Sequence, residues 1–342
     1  MKRRKFLRIA AIAPVAAAAL NPFSLAKGQI PPQGRPPQRR PPQGRPPQGG
    51  ARPGGAPGGA PGAPGGRGPA TYEPTGPGIR VRFLGTGGAD WNGPAESGEL
   101  RRHASILADG KVLFDYTPSA ADMVPEAKPE VVFYTHSHND HYDARAALEL
   151  GIKRVYLGET WLERVRSDFR RASEATGAPV PEIIPLALGQ TVEQDGLKVT
   201  ALPANHTSNY TDEQALIYLI EKDSTRLLYA TDTSGITAQA LALAGVGQFS
   251  RERKFLTGII MEATMGLDYE NDDMRMFSHS SSSQVESTVK VLAANRKYIP
   301  VEGQKVYITH LSKVQQPSQA ELDRTLPDPL KAAYDGLEVL FR

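Results

Sequence analysis

The chain predicts an α/β fold in which two mixed β-sheets pack face to face with helices outside. Three observations lead there. Between residues 79 and 342, apolar runs of strand length recur, bounded by Gly, Pro, Asn, Asp and Ser. The early runs follow one another as a meander, whereas stretches of helical periodicity separate the later ones. Several runs end directly at a His or Asp, residues that belong at the edge of a sheet.

In chain order, the apolar pattern predicts strands over 79–84, 104–107, 111–116 and 131–134, with a helical segment at 120–124. A helix over 144–150 precedes a strand at 154–157, and a long amphipathic helix covers 160–175. Strands at 197–202, 215–221 and 226–230 lead to a helix at 237–244. A strand at 256–261, a helix at 284–294, a strand at 305–308, a helix at 319–324 and a closing strand at 337–341 complete the pattern.

Upstream of residue 79 the composition changes twice. Residues 1–28 read as an export signal. Lys2-Arg3-Arg4-Lys5 precedes Phe6-Leu7, an apolar stretch runs to Leu20, and Ser24-Leu25-Ala26 offers small residues for cleavage. The adjacent Arg3-Arg4 with Phe6-Leu7 resembles a twin-arginine signal, which implies a periplasmic or secreted protein that meets the membrane only during export. The apolar stretch falls short of the roughly 20 residues a membrane span takes. Residues 29–78 hold the repeats Pro-Pro-Gln-Gly-Arg, Pro-Pro-Gln-Arg-Arg and their variants from Pro31 to Gly50, followed by a Pro-Gly-Ala tract. Such a segment builds no core and is expected to be an extended, disordered, basic spacer.

Charge separates the same parts. Of the 40 Lys and Arg, 12 lie in residues 1–78 beside Glu73 alone. The remaining 28, set against 36 acids, leave residues 79–342 at −8. A domain so acidic lacks the overall footprint of a nucleic-acid binder, which favours a small-molecule substrate. A homodimer is compatible with the sequence. Cysteine is absent, so thiolate ligands, thiol nucleophiles and disulfides are all excluded. Residues 79–342 suffice for one domain with a substantial core.

Three of the seven histidines stand in one stretch, His136-Ser137-His138-Asn139-Asp140-His141, directly after the run ending at Thr135. Four metal-ligand side chains on one turn at a strand end make a metal site the leading reading. His206, Asp232 and His310 likewise follow apolar runs. Each alone would be an ordinary strand-end residue, but the three beside that stretch complete a nitrogen and carboxylate donor set. Such a set suits zinc first, with manganese and iron as alternatives.

On these motifs residues 79–342 resemble the metallo-β-lactamase-fold hydrolases. The resemblance implies a four-layer αββα sandwich binding two divalent cations at the sheet edges. His136, His138 and His206 would hold one ion, Asp140, His141 and His310 the other, and Asp232 would bridge them. Two cations sharing a water lower its pKa, so a bridging hydroxide is available at neutral pH.

The branch can be narrowed. The best-known zinc β-lactamases carry Cys at the position of Asp232, and flavodiiron oxygen reductases carry Glu at that of His138. Glyoxalase II and the lactonases usually have Gly soon after the first motif, where this chain reads Tyr142-Asp143-Ala144-Arg145. Phe83-Leu84-Gly85-Thr86-Gly87-Gly88 and Ala230-Thr231-Asp232-Thr233 instead resemble transfer-RNA 3′-processing endonucleases and the phosphonate-pathway cyclic phosphodiesterase. Met261-Glu262-Ala263-Thr264 and Ser278-His279-Ser280-Ser281 resemble two further endonuclease elements, and Ala333-Tyr334-Asp335-Gly336-Leu337-Glu338 the closing strand of the phosphonate-type subgroup. This implies a phosphodiesterase in which His279 contacts the scissile phosphate and protonates the leaving oxygen, Glu262 orients His279, and Asp140 serves the catalytic centre as a ligand. The chain departs from these relatives in lacking a transfer-RNA-binding arm and a cysteine-rich zinc site, and Met261 replaces a His.

Two other readings stay open at this level. The same metals would hydrolyse a lactone, ester or amide, and a non-catalytic secreted binding protein would carry the donor set as a vestige. Among the remaining residues, Arg101-Arg102-His103 is either a phosphate contact or a solvated edge. Trp91 and Asn92 either line the pocket or pack, Ser280 to Ser283 either favour an anion or cap a helix, and Asp272 and Asp273 read as loop surface.

Overall fold

The computed structural model describes residues 72–248, 250, 254–267 and 274–342. The expected signal over 1–28, the spacer up to residue 71, and Asp272 and Asp273 lie outside the described residues. The last residues of the expected spacer are described and lie against the domain: Tyr72 Oη donates to Ser224 Oγ (2.6 Å), and its ring meets Phe255 edge-on at 5.3 Å.

Strands β1 (Ile79–Gly85), β2 (Ser105–Ala108), β3 (Val112–Phe114), β4 (Val131–Phe133), β5 (Arg154–Gly158) and β6 (Glu182–Leu186) form most of one sheet. The second contains β7 (Thr191–Gln194), β8 (Leu197–Pro203), β9 (Leu216–Lys222), β10 (Thr225–Ala230), β11 (Gly258–Glu262), β12 (Val306–Thr309) and β13 (Leu330–Ala332). The closing strand, β14 (Glu338–Phe341), returns to the first sheet beside β1. The orders are β14-β1-β2-β3-β4-β5-β6 and β13-β12-β11-β10-β9-β8-β7.

Both faces of each sheet are covered, which explains why the strands read as nearly continuous apolar runs. Alternate residues divide between layers. Val81, Phe83, Ile106, Phe114 and Phe133 face Tyr218, Ile220, Leu227 and Tyr229 across the space between the sheets. The intervening Leu107, Leu113, Val132 and Tyr134 pack outward against α1 (Ala144–Leu150) and α2 (Leu162–Thr176), through Ala147, Val165 and Phe169. On the opposite outer face Ile217, Leu228 and Met261 meet α3 (Ala238–Leu243), α4 (Ser282–Ala294) and α5 (Gln319–Thr325). The result is the expected four-layer αββα sandwich.

Strands β6, β7 and β13 escape the sequence pattern. They are short and lie at or next to sheet edges; β6 contains Pro185, which a ladder tolerates only at such a position. The segment expected as a helix at 120–124 is a 3₁₀ turn, Pro118–Met123.

Strand direction positions the site. Because β9 is antiparallel to both β8 and β10, while β11 and β12 run parallel to β10, the carboxyl ends of β8, β10, β11 and β12 share one edge. His206, Asp232 and His310 follow β8, β10 and β12, and Glu262 ends β11. The His136 stretch follows β4 of the facing sheet and closes at Asp143, whose side chain caps α1 by accepting from Ala146 N at 2.8 Å. The glycine motif after β1 allows close approach: a Cβ on Gly88 would lie 3.2 Å from His310 Cε1, and one on Gly85 would lie 2.0 Å from the His103 carbonyl oxygen.

Candidate metal centre

Three residues of the centre take left-handed backbone at strand ends: Asp115 (φ 58°), Asp232 (φ 45°) and His310 (φ 54°). For a non-glycine residue this conformation costs on the order of 1–3 kcal/mol, a strain that clusters where side chains must be aimed at a site. Here it lets a chain leaving a strand turn its side chain toward the shared edge.

All seven predicted donors converge. His136 Nε2 lies 2.9 Å from His138 Nδ1, and His206 Nε2 lies 3.2 Å from the same atom. In the second set Asp140 Oδ2 is 3.3 Å from His141 Nε2 and 3.2 Å from His310 Nε2. Asp232 stands between the sets, with Oδ2 3.1 Å from His136 Nε2 and 2.8 Å from His141 Nε2, and Oδ1 3.1 Å from His310 Nε2. Within each set of four, Asp232 included, the donor atoms lie within 4.8 Å of one another.

The outward ring nitrogens define what the inward ones offer. His206 Nδ1 donates to the Ser278 carbonyl oxygen (2.8 Å), and His141 Nδ1 donates to Asp115 Oδ2 (2.8 Å). The Thr264 hydroxyl donates to Glu262 Oε2 (2.6 Å), so it accepts from His310 Nδ1 (2.9 Å). By the same logic the Thr135 hydroxyl donates to Asp115 and accepts from His136 Nδ1 (2.9 Å). Each of these histidines, when neutral, therefore points a bare Nε2 lone pair inward. Lone pairs and carboxylate oxygens facing one another at such distances call for protons or cations between them. His141 Nε2 and Asp232 Oδ1 are buried without a hydrogen-bond partner, and a metal would satisfy both. The donor groups could hold metal ions, with tautomers set by outer partners as metal-ligating histidines require.

Electrostatics point the same way. Burial, then the neighbouring imidazoles, holds His138 down to about 4 and His136 well below its usual range, so both rings are neutral. Burial also pushes His141 down, but Asp232, Asp140 and Asp115 together outweigh it and raise it well above the ordinary value. In the metal-free protein that proton occupies cationic territory, and metal binding releases it.

Outside the seven, Glu262 is fully buried and accepts from Thr233 N (2.7 Å) and Thr264 N (3.1 Å). It lies 3.1 Å from His279 Nδ1. With its oxygens filled in this way, Glu262 acts as an anchor, although it clusters with Asp232, His279 and His310. The His279 ring lies parallel to that of His310, with centroids 5.5 Å apart. Its Nδ1 is committed to Glu262, which leaves Nε2 for a ligand.

The pattern of apolar runs did not single out Asp115, Thr135 or Thr264. Asp115 has the signal in weak form, a polar residue closing an apolar run, but it lay inside the expected strand 111–116. It is a positioning residue for both donor sets, reaching His141 directly and His136 through Thr135. Asp115→Asn, which tolerates the left-handed backbone, is expected to weaken metal binding by about 10- to 100-fold. Zinc titration of the stripped chain against a competing chelator measures this.

The structure decides the other open readings. Arg101 is neither a phosphate contact nor a solvated edge: it is buried, donating to Thr86 Oγ1 (2.8 Å), the Ala333 carbonyl (2.9 Å) and Gln319 Oε1 (2.7 Å), and pairing with Glu99 at 2.9 Å. Arg102 is held by Asp122 and Asp335. Trp91 packs, donating from Nε1 to the Leu311 carbonyl (2.7 Å), and Asn92 is exposed. Ser281 caps α4 in a capping box with Gln284, while Ser280 and Ser283 tie down neighbouring loops.

Residues 111–298 match the model of the beta-lactamase superfamily domain, and the chain belongs to that family. It is 30% identical over 141 residues to a UPF0173 metal-dependent hydrolase of Methanoregula boonei, covering 38% of this chain and 56% of that protein. It is 28% identical over 123 residues to one of Methanopyrus kandleri, covering 34% and 50%. The chain thus spans about half the length of the curated relatives it matches. Among solved structures, a diphosphatase of the PhnP family superposes with a TM-score of 0.54 at 22% identity, covering 77% of this chain and 98% of that one. Zinc-bound PqqB from Methylobacterium extorquens gives 0.54 at 18%, covering 76% and 99%. A long-form RNase Z from yeast gives 0.51 at 13%, covering 77% and 42%. The structural likenesses show the sandwich fold, the domain match gives the beta-lactamase superfamily, and it is the two curated relatives that are named metal-dependent hydrolases.

Proposed function

We propose that the chain is a binuclear metal-dependent hydrolase acting on a small phosphodiester, a class that includes cyclic ones. The observation that carries this reading is His279, held by buried Glu262 and stacked on the donor His310. An acid poised beside a metal pair suits expulsion of a poor leaving group such as an alkoxide. The names of two structural neighbours, a diphosphatase and an RNase Z, agree with phosphoryl chemistry.

When bound, the ions supply an acidified water for attack and positive charge around the attacked centre. The chain's own residues do the rest. As the water oxygen bonds to phosphorus and the phosphorus–oxygen bond to the leaving group breaks, His279 gives its Nε2 proton to the departing oxygen. Glu262 stabilises the imidazolium and fixes its orientation, and Thr233 and Thr264 hold Glu262 in place. Asp140 contributes as a ligand on the His310 side. The acidic domain favours a small substrate over nucleic acid. The twin-arginine-type start supports export of the folded, metal-loaded protein; a fusion that still crosses after Arg3 and Arg4 are both changed to Lys would oppose that route.

The decisive assay sets bis-p-nitrophenyl phosphate beside a lactone and ester panel, with zinc, manganese or iron supplied. Diester turnover that disappears on chelation and returns with metal is expected. Turnover of lactones or esters alone would establish the alternative hydrolase, and fewer than two bound ions with no turnover would establish a vestigial binding protein.

A further inference from the structure

Between the two ligands His136 and His138 stands Ser137, and all three of its polar groups are taken by one distant loop. Its N–H donates to Glu213 Oε1 (2.8 Å) and its hydroxyl to Glu213 Oε2 (2.6 Å). Its carbonyl accepts from Asn209 Nδ2 (2.8 Å). Glu213 and Asn209 lie in the loop that begins at the third ligand, His206. That loop is itself tied to the outer helical layer: Arg164 of α2 binds Asp212 through both carboxylate oxygens (2.6 and 2.8 Å) and covers the Tyr210 ring at 3.9 Å. Gln214 N donates to Thr160 Oγ1 (2.9 Å).

We propose that Glu213 and Asn209 are positioning residues for the His136–His138–His206 set, a staple that fixes two ligands of one sheet relative to the third ligand of the other. The proposal rests on reading those three histidines as ligands of one ion. The physical case is one of preorganisation. His138 is partly exposed, and both His138 and His206 stand on loops beyond the ends of their strands. Without a tether, gathering them around an ion would cost loop-ordering entropy at the moment of binding. In the second set Asp115 and Thr264 hold His141 and His310 directly, whereas in the first set His138, among the described residues, hydrogen-bonds only to its fellow donors His136 and His206, so its place depends on the backbone at Ser137. The two sites should therefore respond differently when Glu213 is removed.

The test is a zinc titration of the metal-stripped full chain against a competing chelator, with the melting temperature of each stripped variant measured alongside. In Glu213→Ala, the zinc equivalent that His206→Ala abolishes should weaken by about 10- to 100-fold, as for loss of other groups that orient ligands, while the second equivalent holds within about threefold. Glu213→Gln, which keeps one acceptor, should fall between. Unchanged affinity at the His206-dependent equivalent overturns the proposal, as does a parallel loss at both sites together with a lowered melting temperature, the signature of a merely structural role. If Glu213→Ala does not fold, Ser137→Ala and Asn209→Ala each remove one bond; weakening confined to the same equivalent supports the staple, and none in either variant overturns it. The ligand reading fails separately, if His206→Ala binds zinc as the wild type does.

Discussion

Asp232→Asn is expected to lower turnover by at least about 10³-fold and to reduce metal content at both sites, because in the proposed centre one carboxylate would serve two cations. Its oxygens lie 2.8–3.1 Å from inward nitrogens of both donor sets. Unit charges about 4 Å apart interact by roughly 4 kcal/mol at an effective dielectric near 20, so losing the shared charge weakens both ions together. Asparagine is the informative replacement, since it tolerates the φ of 45° that alanine would adopt only under strain. Its neutral amide keeps an oxygen donor but no charge to balance two cations. Metal analysis with steady-state kinetics checks this. Two ions and wild-type turnover in the variant would sink the shared-ligand assignment.

The second large effect belongs to His279→Ala. Loss of a positioned acid is expected to cost about 10²- to 10⁴-fold in kcat for diesters with poor leaving groups. The loss should be much smaller for an activated aryl leaving group, which departs without a proton. Metal content should be unchanged, since His279 belongs to neither of the two four-donor sets that share Asp232. Equal losses for both kinds of leaving group would remove its role as acid. The pH dependence gives an independent readout. Burial pushes His279 down, but Glu262, Asp232 and Asp140 together outweigh it and carry it up to about 9 in the metal-free protein. Two bound cations repel the imidazolium, so the active protonated form is lost as pH rises toward 9 and the alkaline limb lies at or below that value. Glu262→Gln removes the main raising charge, and the limb should move to lower pH. The linkage has the same sign: with the folded value raised above 6.5, the pair's stabilisation is complete below 6.5 and fades as pH rises through about 9.

Much of the site was legible because each donor carries a local mark. His136 to His141 are contiguous, and His206, Asp232 and His310 each close an apolar run whose period shows a strand. What was hidden were the groups behind the donors. Asp115 and His141 are 26 residues apart, and Ser137 and Glu213 are 76 apart. No period or spacing links such pairs, because their contact arises only when ends of separate strands and loops meet. Arg101 was misread for the same reason, since its partners Gln319 and Ala333 lie more than 200 positions away.

By itself, then, the order of residues determined the sandwich and which His and Asp side chains are candidate donors, because strand periodicity and ligand type are properties of short segments. Only the tertiary structure decided which imidazole nitrogen faces inward, which hydroxyl and carboxylate set that tautomer, and that Glu262 stands behind His279 and Glu213 behind Ser137. Those are hydrogen bonds between parts of the chain that meet only once the two sheets have packed.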